Sequence, residues 1–204
     1  MLRPIPIPMK TNSLIRIATI GAAILSGAIR LPAQPAPTEP APANVSDYPD
    51  TGMVPKKRML HIGIVVRDIE KSRERWIKFL GLDKTPDIQT ATGDAKNPTE
   101  FRGHPSTAQA KLVFMNLDNL QVELIEPIGD TPSHWREFLE SKGEGVHHIA
   151  FAVKGMGEAY LENYAEAGYP TAQHGGWATG EYGYMDTAEA LGVTVELIEN
   201  YNQQ

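Results

Sequence analysis

The 204-residue chain contains no cysteine, and this absence excludes several kinds of site at once. There can be no disulfide, no thiolate metal ligand, no cysteine nucleophile and no lipid-modified cysteine anchor. Any metal site in this chain must therefore be built without thiolate ligands.

Basic residues are scarce outside the N-terminal region. The first 33 residues carry four basic residues and no acid, which leaves 15 basic and 25 acidic residues for the rest of the chain. Such an acidic surface disfavours nucleic acid and anionic membranes as partners, and solubility is the simplest role for the charge. We therefore expect a small-molecule partner and no nucleic acid.

A long hydrophobic run is missing as well. The segment "IATIGAAILSGA" follows a basic stretch and precedes candidate cleavage points after Ala28 and Ala33, which is the layout of a secretory signal peptide at 1–33. The apolar run is short for a membrane span, which needs about 20 residues. We predict export to the periplasm or the medium, with no stable membrane span after signal cleavage. An uncleaved N-terminal anchor is the alternative.

The folded region follows a Pro/Ala-rich linker at 34–53 and contains an internal repeat. The segment from His61 to Asp83 aligns without gaps with the segment from His148 to Pro170, and "VELIE" occurs at 122–126 and again at 195–199. Within the domain at 54–204, the repeat predicts two α+β half-domains, at about 58–127 and 145–200.

Each half is predicted to contain four strands and one helix. We predict strands at 59–66, 86–92, 110–117 and 119–126 in the first half, and at 146–153, 171–176, 181–187 and 192–199 in the second. Helices are predicted at 69–80, at 155–167 and, between the halves, at 133–143. The polar stretch 83–108 is predicted to be largely a long loop able to cover a site.

Residues two apart on a strand share a face, so strand alternation places one metal-capable side chain on the same face of each of four strands. Aliphatic residues occupy the opposite face of each strand, where the helices are expected to pack. Gly63, Ala150 and Ala152 are expected to leave open space beside the histidines. The four metal-capable residues are His61, Glu123, His148 and Glu196. Two neutral imidazoles and two carboxylates suit one divalent cation: Co, Ni, Zn, Mn, Mg or Fe(II).

These segments resemble the vicinal oxygen chelate superfamily, which includes glyoxalase I, methylmalonyl-CoA epimerases, extradiol dioxygenases and the bleomycin- and fosfomycin-resistance proteins. The most similar branch is that of the methylmalonyl-CoA epimerases, on the strength of "LHIGIVV", "VELIEP", "GEGVHHIAF" and "VTVELIE". The resemblance implies an α+β fold in which two βαβββ modules form a cupped mixed sheet around a metal. It also implies that His61, Glu123, His148 and Glu196 bind that metal.

The implied activity is proton abstraction next to a carbonyl, as in an epimerase or isomerase acting on a small carbonyl-containing substrate. Glu196 and Glu123 are the predicted catalytic base and acid. A glyoxalase-type lyase, an Fe(II) dioxygenase and a non-catalytic small-molecule-binding protein are the alternatives. A homodimer is possible, although all four predicted ligands lie in one chain.

Several other residues have weaker assignments. His147 is predicted to point away from His148 and to pack in the core or against a helix. Trp76 and Phe79 are predicted core residues of the first helix. Three aromatic residues of the second half could line a pocket or serve strand pairing: Trp177, Tyr182 and Tyr184. Three basic residues could bind an anionic substrate: Arg102, His104 and Lys111. Three glycines are assigned to turns: Gly175, Gly176 and Gly180.

Overall fold

The computed structural model of this protein describes residues 53–54 and 57–202. The predicted signal peptide and the predicted linker up to residue 52 lie outside the described residues. Within the described part of the chain, no helix has the length and hydropathy needed to cross a membrane.

The described residues form ten strands and four helices. The strands are β1 (Met59–Val65), β2 (Gln89–Ala91), β3 (Glu100–Phe101), β4 (His104–Pro105), β5 (Gln109–Asn116), β6 (Gln121–Ile128), β7 (Gly145–Ala152), β8 (Thr171–Trp177), β9 (Gly180–Met185) and β10 (Thr194–Asn200). The helices are α1 (Ile69–Leu80), α2 (His134–Ser141), α3 (Glu158–Glu166) and α4 (Ala188–Leu191). The eight strands and three helices predicted from the sequence are all present, with bounds that differ by up to three residues.

All ten strands belong to one mixed sheet, in the order β2-β5-β6-β1-β7-β10-β9-β8-β3-β4. In each half the first strand pairs in parallel with the last, β1 with β6 and β7 with β10. The halves join where β1 and β7 run antiparallel at the centre of the sheet. This arrangement confirms the predicted α+β fold of two βαβββ modules.

The aliphatic strand faces pack against α1 and α3, as the alternation predicted. Val122 and Leu124 of β6 lie in a buried cluster with Ile69 of α1, and Val195 and Leu197 of β10 lie in another with α3 residues. Helix α1 begins at an Asp68 cap, which accepts from the backbone N–H of Lys71, and ends at Gly81 in the left-handed conformation. Phe79 does not join this core: its side chain is 82% exposed, so that assignment was wrong.

The second glutamate of each "VELIE" segment faces the helix side of the sheet and binds backbone N–H groups near the start of its module's helix. Glu126 accepts from the N–H of Ile69 at 2.7 Å. Glu199 accepts from the N–H groups of Gly155 and Met156, at 2.8 and 2.6 Å, just before α3. Carboxylates are favoured there because helix N-termini present unpaired N–H groups and a positive dipole. In each copy of the pentapeptide, the second glutamate thus binds the start of a helix on one face of the sheet, and the first glutamate points to the other face.

The opposite, concave face of the sheet is closed at one end by α2. Trp135 and Leu139 of this helix pack in one buried cluster with Val65, Ile125 and Tyr184. The linker helix predicted between the halves therefore forms part of the cup.

The polar stretch 83–108 has more structure than the single strand predicted within it. After β2 it forms the short hairpin of β3 and β4, and β3 pairs with β8 of the second half. The first half thus contributes the outer edge of the second half's sheet. Gly175 and Gly176, assigned to a turn from the sequence, lie within β8. A Cβ on Gly176 would lie 2.8 Å from the Asn97 Cβ, so glycine admits the close passage of this loop.

A β-bulge interrupts the central pair of strands at His147. Gly63 pairs with His148 but the next residue, Ile64, pairs with Val146, so the register skips His147. A bulge re-aims the side chains around it. The prediction that His147 points away from His148 rested on unbroken alternation and is wrong, whereas its predicted packing against a helix, α2, is confirmed.

Candidate metal centre

The four predicted metal-capable side chains meet at the floor of the cup. His61 comes from β1, Glu123 from β6, His148 from β7 and Glu196 from β10, which are the four central, adjacent strands of the sheet. One nitrogen or oxygen from each lies within 4.8 Å of all the others. We call these four residues the metal cluster.

Within the metal cluster, Nε2 of both histidines and Oε2 of both glutamates point to one centre. The two Nε2 atoms are 2.8 Å apart. His61 Nε2 lies 3.2 Å from Glu123 Oε2 and 2.8 Å from Glu196 Oε2, and the corresponding distances from His148 Nε2 are 3.3 and 3.1 Å. Two neighbouring ligands placed about 2.0–2.2 Å from a shared cation are themselves roughly 3 Å apart. The ligand atoms are therefore spaced as if around a common ion.

The atoms that face this centre lack other partners. Oε2 of Glu123 and Oε2 of Glu196 are both buried without a hydrogen bond, which is costly for a carboxylate unless a cation compensates. All four side chains are buried. The donor set of two imidazoles and two carboxylates carries two negative charges when the histidines are neutral, and so matches a divalent cation. The residues fit a metal ion on both geometry and charge.

The pKa values of the metal cluster show how strongly it attracts positive charge. Burial disfavours the cation of His61, but the adjoining carboxylates of Glu123 and Glu196 outweigh burial and raise its pKa to about 10. The pKa of His148 is also raised, against burial, by the same two carboxylates. The pKa values of Glu123 and Glu196 are lowered despite burial, because the two histidines favour their charged forms. Protons and a metal ion would therefore compete for the same atoms.

Gly63 makes room for the ring of His148. A Cβ at this position would lie 2.0 Å from Cε1 and 2.3 Å from Nε2 of that imidazole. Gly63 also pairs with both Glu123 and His148 across its two neighbouring strands. The space predicted beside the histidines is therefore occupied by a ligand ring rather than open.

Aromatic rings surround the far side of His148. The Tyr184 ring lies 5.0 Å from the His148 ring, and its hydroxyl accepts a hydrogen bond from the indole N–H of Trp135 at 2.9 Å. Burial raises the pKa of Tyr184 well above its usual value, with further contributions from the negative charges of Glu196 and Glu123. Tyr184 therefore stays a neutral phenol beside the cluster.

The metal cluster opens into a cavity of about 900 Å³. Its wall includes the three aromatic residues for which a pocket role was one alternative, and residues of the predicted covering loop. These are Trp177, Tyr182 and Tyr184, and Thr92, Gly93, Asp94 and Thr99. The volume is within the range of small-molecule sites.

The three basic residues considered for an anionic substrate lie elsewhere. Arg102 pairs with Glu137 at 2.8 Å and with Asp186 at 3.6 Å, and Lys111 pairs with Glu70 and Glu126. Neither they nor His104 belong to the described residues that line the cavity. The structure places Arg58 at the wall instead, a residue to which no role was assigned from the sequence.

Comparison with known proteins agrees with this geometry. Residues 60–188 match the family model described as the glyoxalase/bleomycin resistance protein/dioxygenase superfamily. The chain belongs to this superfamily. The matched segment includes His61, Glu123 and His148 and ends before Glu196. It is the superfamily that the sequence resemblance indicated, under the name vicinal oxygen chelate.

Individual relatives within the superfamily are distant. The chain is 25% identical over 148 residues to the mitochondrial methylmalonyl-CoA epimerase of Bos taurus, a match that spans 72% of this chain and 76% of the relative. It is 33% identical over 105 residues to the uncharacterized protein YqjC of Bacillus subtilis, across 50% of this chain and 61% of that protein. The structure of methylmalonyl-CoA epimerase from Mycobacterium tuberculosis aligns with a TM-score of 0.48 and 18% identity, across 77% of this chain and 95% of that one.

Proposed function

We propose that this superfamily member is a divalent-metal-dependent enzyme that moves a proton at the carbon next to a carbonyl, as an epimerase or isomerase. The observation that carries the proposal is the metal cluster, in which two buried carboxylates face one centre at the floor of a cavity. The relationship to proteins named methylmalonyl-CoA epimerase supports the reaction class.

A divalent cation bound at the metal cluster would supply Lewis acidity, which acidifies a C–H next to a carbonyl. His61 and His148 would hold that cation through Nε2, and the two glutamates through Oε2. Glu196 is the proposed base that takes the proton, and Glu123 is the proposed acid that returns one to the other face of the carbon. The neighbouring imidazoles lower the pKa of both glutamates, which favours the charged form that the base needs. Glu123 must take up a proton from solvent before it can return one to the carbon.

The burial of all four side chains of the metal cluster at the floor of the cup favours this chemistry. The sheet forms the floor, α2 closes one end, and Tyr184 and Trp135 line the wall. Charges act more strongly on one another in such a site than in bulk water, so positioned carboxylates and imidazoles have a larger effect on a developing negative charge.

The proposed substrate is a small carbonyl compound. Among the described residues of the cavity wall, Arg58 is the only lysine or arginine, which suits at most one carboxylate of a substrate. We further propose, from the N-terminal sequence alone, that the protein is exported. A substrate panel should therefore contain free 2-oxo and 2-hydroxy acids and branched acyl compounds as well as methylmalonyl-CoA.

Solvent-deuterium exchange tests the proposal. The metal-loaded protein is incubated with each compound in D₂O, and exchange at the carbon next to the carbonyl is followed by NMR and mass spectrometry. The wild-type protein should exchange both epimers of its substrate. Glu196→Gln should lose exchange from one epimer and Glu123→Gln from the other, because glutamine can still bind a cation through oxygen but takes no proton.

Glu126→Gln and Glu199→Gln are matched controls, since each changes the other glutamate of the same pentapeptide on the opposite face of the sheet. Both should retain exchange from both epimers. An oxygen-uptake assay with Fe(II) separates the dioxygenase alternative. Absence of exchange across the panel, with metal bound, would contradict proton abstraction as the function.

A further inference from the structure

The β-bulge on β7 brings a third histidine against the metal cluster. His147 Nδ1 lies 2.9 Å from His148 Nδ1, on the side of the His148 ring away from the centre of the cluster. Both rings are buried, with exposures of 1% and 0%. Without the bulge, adjacent residues of a strand would point to opposite faces and the two nitrogens would not meet.

The hydrogen between these nitrogens has a defined place when His148 binds a cation. Nε2 of His148 must then present a lone pair, so the ring hydrogen of a neutral imidazole sits on Nδ1. Nδ1 can donate that hydrogen only if the opposite atom accepts, which requires the hydrogen of His147 to sit on its own Nε2. Two imidazole nitrogens at 2.9 Å suit one N–H···N hydrogen bond.

The surroundings of His147 show that it is not needed simply to fill space. The rings of His134, Phe138 and Tyr184 enclose it, at centroid distances of 4.7, 5.1 and 5.1 Å and interplanar angles of 66°, 86° and 88°. Its Nε2 has no hydrogen-bond partner. An apolar side chain would pack among these rings without leaving a buried nitrogen unpaired. The polar contact of defined geometry that compensates the imidazole is the bond to His148, beside a weaker interaction with the backbone of His134.

We propose that His147 is a positioning residue for the metal: its Nδ1 accepts the hydrogen of His148 Nδ1 and so keeps the Nε2 lone pair of His148 directed at the centre of the metal cluster. The inference rests on the proposed metal site and adds a residue outside its four ligands. Hydrogen-bond partners of metal-bound histidines fix the tautomer and orientation of the ring, and their loss lowers metal affinity by about 10–100-fold.

A shape-matched pair of variants tests the proposal. Asparagine and leucine branch at the same carbon as histidine, and only asparagine places a polar atom where His147 has Nδ1. The Kd for Zn²⁺ is measured by calorimetric competition with a chelator. We expect His147→Leu to weaken binding by about 10–100-fold and His147→Asn to recover most of that loss. Equal affinities of wild type and His147→Leu, or equal weakening by both variants, would overturn the proposal.

Two further measurements keep folding effects apart from positioning. The thermal midpoint of each metal-free variant reports its folding stability, and a purely structural role would shift it while leaving the Zn²⁺ Kd unchanged. In ¹⁵N-labelled wild type loaded with Zn²⁺, the hydrogen bond predicts a scalar coupling between the two Nδ1 nuclei, with the hydrogen bonded to His148. A hydrogen on His147 Nδ1 or the lack of a coupling would contradict the proposal without any variant.

The outcomes also separate this proposal from the proposed function. A wild-type protein that binds Zn²⁺ but catalyses no deuterium exchange would contradict the function and leave the role of His147 intact. A wild-type protein that binds no divalent metal would contradict both. Exchange activity with unchanged Kd in His147→Leu would contradict only the role of His147.

Discussion

Substitution of Gly63 by alanine should disrupt the metal site although all four ligand residues are retained. The added Cβ would lie 2.0 Å from Cε1 of His148, whereas carbon atoms pack at about 3.5 Å or more, so ring and strand must separate by roughly 1.5 Å. The strand has little freedom to move, because Gly63 is paired with β6 on one side and β7 on the other. The imidazole must therefore give way.

The required shift is far larger than a metal site tolerates. Metal–ligand distances vary by only about 0.2 Å around their ideal values, so a displacement of 1.5 Å amounts to the loss of one of four ligands. We expect the Kd for Zn²⁺ to rise by more than about 100-fold, beyond the range caused by loss of an outer hydrogen bond. Overpacking a core costs about 1–3 kcal/mol, which is less than the usual stability of a folded domain, so the chain itself should still fold.

Calorimetric titration with Zn²⁺ measures this effect, and circular dichroism of the metal-free protein confirms folding. Gly157→Ala is the matched control, because Gly157 has an ordinary φ of −121° and a Cβ there would meet nothing within 4 Å. Gly157→Ala should bind Zn²⁺ like the wild type. A folded Gly63→Ala variant with wild-type Zn²⁺ affinity would refute the assignment of His148 as a ligand in this geometry.

Two further predictions concern protons and helix capping. Zn²⁺ binding should release protons and strengthen as the pH rises from 6 to 9. His61, with a pKa of about 10, is protonated in the metal-free protein and must release that proton to solvent when the cation binds. Calorimetry in buffers of different ionisation enthalpy checks this, and a binding heat that does not depend on the buffer would contradict it. Glu126→Ala and Glu199→Ala should each lower the free energy of unfolding by about 1–2 kcal/mol, since each removes a carboxylate acceptor near a helix start. Urea unfolding measures that loss, and the Kd for Zn²⁺ should stay unchanged; a change in Kd with unaltered stability would contradict the division of roles between the two glutamates of each pentapeptide.

The sequence allowed the architecture and the cluster to be predicted because both repeat. An aliphatic face with period two marks each central strand, and a helix pattern ending in Gly81 or Gly168 follows the first strand of each half. Since first and last strands of a module lie side by side, one polar residue on each is enough to bring His61, Glu123, His148 and Glu196 together.

The features that were missed break the periodicity or depend on distant contacts. The bulge at His147 reverses the side predicted for that ring, and no local composition marks it. The hairpin of β3 and β4 consists of two-residue strands, and β3 pairs with β8, a strand of the other half. The position of Arg58 at the cavity wall likewise depends on how the sheet curves. Secondary-structure propensity and strand alternation predict only local structure, from residues that are neighbours along the chain.

The metal cluster is tested most simply by the metal content of the purified protein after exposure to a divalent ion and gel filtration. We predict one equivalent per chain for the wild type and none for the His61→Ala/His148→Ala double variant, with both proteins folded by circular dichroism. A double variant that retains one equivalent, or a wild-type protein that retains none, would contradict the assignment of the metal site.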